Sequence, residues 1–210
     1  MYAGFVRKQG DIHTFEDEAF LRHMARGSVV VLALGAVAVL AFGACLALCA
    51  PALLDPGLSG LVGTSALDGG DIAAWLFAFA IATALSFIVH ELVHGLCFKC
   101  FAPAGSKVTF GADLGLGMLY ACADGVVFAR RQYLAALLAP SVVVTAALLA
   151  LGCALGYPVL GAACAVLHLS GCTGDWGYAR AIAADECVTH CEDTSWGVQF
   201  YCDLKDRELT

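Results

Sequence analysis

IAAWLFAFAIATALSFIVHELVHG, residues 72–95, is an apolar run without a charge until it reaches His90-Glu91-Leu92-Val93-His94. Its length and composition predict a membrane helix. On a helix, positions i and i+4 share a face, so the two imidazoles can hold one zinc ion while Glu91 takes a proton from the attacking water. With six His in 210 residues, chance would produce H-E-x-x-H about 0.005 times per chain. Three ionisable groups within one turn of an apolar helix also cost several kcal/mol unless they are paired, hydrated or metal-bound. A polar cluster bridging helices would meet that need too, but the spacing favours a metal.

The rest of the chain fits a membrane setting. Hydrophobic residues make up 60% and charged residues 14%, and the mean hydropathy is +0.82. Uncharged stretches at 28–50, 132–155 and 157–174 join 72–101 as candidate spans of a hydrocarbon layer roughly 30 Å thick. The first lies too far from the start of the chain, and is too long, for an ordinary cleaved signal peptide. The expected fold is therefore a mainly α membrane protein, with four transmembrane helices and short interfacial β-hairpins in a single domain, 1–210.

Basic residues orient it, because retained loops carry the Lys and Arg. Arg7, Lys8, Arg22 and Arg26 precede the first span, Lys99, Lys107, Arg130 and Arg131 separate the second from the third, and Arg180, Lys205 and Arg207 follow the fourth. The connection 51–71 carries Asp55, Asp68 and Asp71 but no cation. Both termini and the metal motif should face the cytoplasm, with the plasma membrane as the expected location.

A net charge of −7 leaves no basic stripe for phosphates and excludes a nucleic-acid partner. The 11 cysteines lie mostly in apolar spans or on the reducing side, which argues against a disulfide framework. Cys45, Cys49, Cys153 and Cys164 read as small packing residues. Cys97 and Cys100, with Cys187, His190 and Cys191, offer a weaker second zinc set, since no second C-x-x-C accompanies the first.

Outside the spans, Thr14 with Asp17 predicts a helix start. Residues 107–110 and 118–121, set among glycines, predict a hairpin at the membrane interface, and 187–192 with 196–202 a second one. Asp113 and Asp124 read as turn or surface residues.

A catalytic zinc commonly takes three protein ligands and leaves one position open. Asp175 is the candidate third ligand, because it follows Gly171-Cys172-Thr173-Gly174 at the predicted depth of His90 and His94. Capping a helix over 176–184 is its other available role. His168 lies on nearly the same face but seven residues earlier, roughly 10 Å deeper at 1.5 Å per residue. A hydrogen bond inside the bundle suits it better.

One family shares this order of features: His90-Glu91-Leu92-Val93-His94-Gly95, Phe110-Gly111, Tyr120-Ala121, Arg130-Arg131-Gln132-Tyr133 leading to Leu138-Ala139-Pro140, and Gly174-Asp175. Over about residues 72–202 the chain resembles the small membrane proteins of the zincin peptidase family, which are similar to site-2 proteases. The resemblance implies a Zn2+-dependent membrane metallopeptidase, with His90, His94 and Asp175 as ligands and Glu91 as general base. It would cut a membrane-protein or peptide substrate within or near the lipid bilayer. Where site-2 proteases often carry Asn-x-x-Pro-x-x-x-x-Asp-Gly, this chain has Ser170-Gly171-Cys172-Thr173-Gly174-Asp175-Trp176. A non-catalytic zinc-binding scaffold could use the same residues. So could a metal-handling protein, although the ionisable groups cluster at one depth and only His168 extends a path.

Overall fold

A computed structural model describes residues 6–14, 16–60, 63, 69–113 and 118–203. The elements run β1 (Val6–His13), α1 (Glu18–Cys49), a 3-10 turn (Pro51–Leu53), α2 (Pro56–Ser59), α3 (Gly69–Phe101), β2 (Thr109–Asp113), β3 (Met118–Cys122), β4 (Val127–Ala129), α4 (Arg130–Leu155), α5 (Pro158–Gly171), α6 (Thr173–Ala184), β5 (Val188–Thr194) and β6 (Gly197–Asp203). They form two compact units, one of residues 1–25, 90–140 and 173–210 and the other of residues 26–89 and 141–172.

Helices α1, α3 and α4 are long and apolar enough to cross a membrane. Their surfaces carry Leu34, Leu40, Leu48, Phe77, Leu96 and Val142, each more than 60% exposed. Water would not tolerate such a surface, whereas lipid requires it. The chain is an integral membrane protein. The expected span 157–174 is instead helix α5 of 14 residues, about 21 Å at 1.5 Å per residue and shorter than a hydrocarbon core. The chain turns at Cys172 and restarts as α6.

In the unit of residues 26–89 and 141–172, two signals turn α4 into α5. Gly156 adopts φ +78°, the left-handed conformation that ends a helix without a Cβ clash, and Pro158 opens the next helix where no amide is needed. Gly152 and Gly161 let the two backbones touch, since a Cβ on either would collide with the other strand of this helical hairpin. Asp55 is fully buried yet satisfied. Its carboxylate accepts the Val159 and Leu160 amides at 2.8 Å each and Trp75 Nε1 at 2.9 Å. One side chain so caps α5 and pins α3, with the negative charge at the positive end of the helix dipole. His168, also fully buried, has Thr145 Oγ1 at 3.3 Å from its Nδ1.

The other unit carries an antiparallel sheet in the order β1-β6-β5-β4 and the hairpin β2-β3. Its core joins Phe98 of α3, Phe128, Tyr133 and Leu137 around the start of α4, Ile182 of α6, and Val188, Cys191, Val198 and Phe200 of the sheet. Both expected hairpins are present, their strand ends shifted by up to three residues, and the second is the centre of a larger sheet. Strand β1 was not expected. Its sequence VRKQGDIH lacks apolar alternation, and it pairs along β6 from Val6↔Asp203 to His13↔Gly197.

Thr14 does not start a helix, contrary to expectation. It is buried, its amide donates to Trp196 O, and its hydroxyl meets that of Tyr178. Asp17 caps α1 in its place, accepting the Ala19 and Phe20 amides on Oδ1 at 2.9 Å each. Either residue satisfies the capping preference, and β1 decides between them by running through to His13.

Candidate metal centre

The motif lies on α3, one turn of helix separating the two imidazoles. Both residues are 6% exposed, and their Nε2 atoms stand 3.0 Å apart. Asp175 completes a triangle: Oδ2 is 3.3 Å from His90 Nε2 and Oδ1 is 3.4 Å from His94 Nε2. A tetrahedral ion with bonds of about 2.0–2.1 Å holds its ligands about 3.3 Å apart. The three donors therefore already have the spacing such an ion needs, and two imidazole nitrogens with one carboxylate oxygen suit zinc.

Asp175 sits in the first turn of α6, so the helix begins before it and the capping role expected as its alternative does not arise. Gly174 and Gly177 flank it, and Met24 and Phe20 pack where their Cβ atoms would be. Burial pushes the Asp175 carboxyl up, but the His94 and His90 imidazoles beside it outweigh burial and hold it at about 2. At neutral pH it is the anion that a ligand must be.

His94 is oriented from behind. Its Nδ1 lies 3.0 Å from the carbonyl oxygen of Ala136 on α4, so Nδ1 carries a proton, and in the neutral ring that a metal requires the Nε2 lone pair faces the triangle. Glu91 stands outside it, with Oε1 4.0 Å from His90 Nε2. Its carboxylate accepts the amide of Ala121 in β3. The hairpin bearing that amide approaches α3 through Phe110, whose ring occupies the space a side chain on Gly95 would fill.

Sequence reasoning assigned no role to two further residues. The Tyr133 hydroxyl, on a side chain with no exposure, donates to Asp193 Oδ1 at 2.6 Å. Alternation along β5 puts Asp193 on the same face as buried Cys191. It is thus a carboxyl group on the inner side of the sheet, and the charges of His94, Asp175 and Glu91 all act on it. Removal from water raises it from the usual 3.8 to about 7. The folded state then holds more protons than the unfolded one between those values, so metal-free protein should lose stability as pH rises from about 4 to 7. Asp193→Asn accepts the same hydrogen bond without titrating. It should flatten that slope and raise stability above pH 7 by at most about 4 kcal/mol, read from denaturation midpoints across pH.

Among the described residues, no metal-holding group includes Cys97, Cys100, Cys187, His190 or Cys191. Asp124 is a loop residue as expected, its Oδ1 3.3 Å from the Ser195 amide.

Residues 83–185 match the family model described as a putative zincin peptidase. The matched segment contains His90, Glu91, His94, Tyr133, Pro140 and Asp175, and it stops short of Asp193. No curated protein and no solved structure gives a match. The match and the convergence of two histidines and an aspartate in a membrane-helix protein support a zinc-dependent membrane metallopeptidase.

Proposed function

We propose that the chain is a zinc metalloendopeptidase that hydrolyses peptide bonds in membrane or membrane-proximal substrates, in the manner of site-2 proteases. The observation that carries the proposal is the donor triangle of His90, His94 and Asp175 with Glu91 beside it. The three donors would hold Zn2+, which would polarise the scissile carbonyl and the attacking water. Glu91 takes the proton that the water gives up as the new C–O bond forms, and returns it to the nitrogen as the C–N bond breaks. The Ala136 carbonyl holds the His94 imidazole in place through both steps.

A substrate helix has its amides paired internally and must unwind before it can be cut. Strand β3 offers a partner for the unwound segment. Because Glu91 engages the Ala121 amide, an extended peptide added along this strand would run past the base.

We read the chain as one membrane-embedded zincin-like domain in the plasma membrane, with α1, α3, α4 and the shorter α5 as four passes, both termini cytoplasmic and the site at the cytoplasmic end of α3. The basic residues support this orientation. With native cysteines replaced, a thiol placed at Ser65 should react with an impermeant reagent from outside and one at Lys107 should not. The reverse labelling would put the site on the other face.

The activity is tested with purified protein in lipid nanodiscs and a panel of single-span substrates. Cleavage should stop on treatment with a zinc chelator and return on adding zinc. Cleavage that persists in metal-free protein would defeat the reading.

A further inference from the structure

Pro140 lies inside α4, fully buried, in the middle of an apolar helix where a missing backbone donor is hard to replace. In a regular helix the amide of residue 140 would donate to the carbonyl of residue 136. Proline has no amide hydrogen, and its ring also crowds the carbonyl four residues back and tilts it off the helix axis. The carbonyl thus released is that of Ala136, itself without exposure to solvent, and it is the one that His94 Nδ1 meets at 3.0 Å.

We propose that Pro140 is a positioning residue for the metal centre: by leaving the Ala136 carbonyl without its helical donor, it frees that oxygen to accept His94 Nδ1–H and so keeps the His94 Nε2 lone pair aimed at the metal. The helix loses one internal hydrogen bond, and the ligand gains an orienting partner on a rigid element. Such partners behind a ligand fix its tautomer and strengthen metal binding, commonly by 10–100-fold. The inference rests on His94 being a metal ligand.

Pro140→Ala restores the amide at residue 140, which draws the Ala136 carbonyl back along the helix. Zinc affinity of the purified protein, measured by competition with a chromophoric chelator, should weaken by about 10–100-fold. The metal-free variant should be at least as heat-stable as the native protein, since a helix interior prefers Ala to Pro. Nitrogen-15 spectra of labelled His94 in metal-free protein, recorded at a pH high enough for the ring to be neutral, should move from Nδ1-protonated towards a mixture of tautomers. A residue that mattered only for packing would lose stability and leave the tautomer unchanged.

A second variant covers a misfolded Pro140→Ala. Replacing residue 140 by the α-hydroxy acid analogue of alanine puts an ester oxygen where the amide was, removing the ring while still supplying no donor. It should bind zinc within a few-fold of the native protein. Native zinc affinity and tautomer in Pro140→Ala, or a loss in the ester variant as large as that expected for Pro140→Ala, would overturn the inference. If the native protein itself binds no zinc, the metal reading of His94 fails first.

Discussion

Glu91→Gln keeps its zinc and loses cleavage, by about 10²–10⁴-fold. The separation follows from position. The carboxylate lies 4.0 Å from His90 Nε2 and outside the triangle of donors, so an amide of the same shape leaves the ligands untouched. It cannot accept a proton from water. Zinc content per chain and cleavage of a co-expressed membrane substrate are measured in parallel. A Glu91→Gln protein with native cleavage, or one that fully supports the cellular role of the native gene, would make the site a scaffold instead of a catalyst.

His94→Ala should behave in the opposite way and lose metal and activity together. Two donors would remain, His90 and Asp175, and the Ala136 carbonyl would be left without its imidazole partner. An alanine there also unbalances Asp175, whose charge the two imidazoles stabilise. Zinc affinity should fall by at least the 10–100-fold typical of losing an orienting partner alone, and cleavage should drop below detection in zinc-limited buffer. Zinc titration and cleavage at increasing zinc measure the two losses. If excess zinc restored native activity to His94→Ala, the imidazole would not be needed once metal is present.

The helix and its motif were legible because two local signals coincide there: a long uncharged run and an i,i+4 histidine pair, neither of which needs information from elsewhere in the chain. Asp175 was legible for a weaker reason, its predicted depth, and its place in the first turn of α6 was not. The chain restart at Cys172 and Thr173 has no proline to announce it. The hairpins were visible through their glycines. Strands β1 and β4 were not, since one has Val6 and Ile12 as its only apolar side chains and the other has three residues, and each is held by its partner strand and not by its own pattern.

What sequence reasoning missed around the site depends on long-range contact. Asp193 reads as a hydrophilic hairpin residue until β5 turns it inward to Tyr133, 60 positions earlier. Asp55 reads as a loop acid until it meets the amides of Val159 and Leu160. Pro140 is visible as a helix interruption, but its consequence appears only when His94 is found beside the Ala136 carbonyl. In each case the residue type is a local fact and the partner is a tertiary one.

X-ray absorption at the zinc edge of the purified protein tests the central claim most directly. The account predicts one zinc per chain with only nitrogen and oxygen neighbours at about 2.0–2.2 Å, two of them imidazoles, and loss of the carboxylate oxygen in Asp175→Ala. Sulfur neighbours at about 2.3 Å, or a spectrum unchanged by Asp175→Ala, would contradict it.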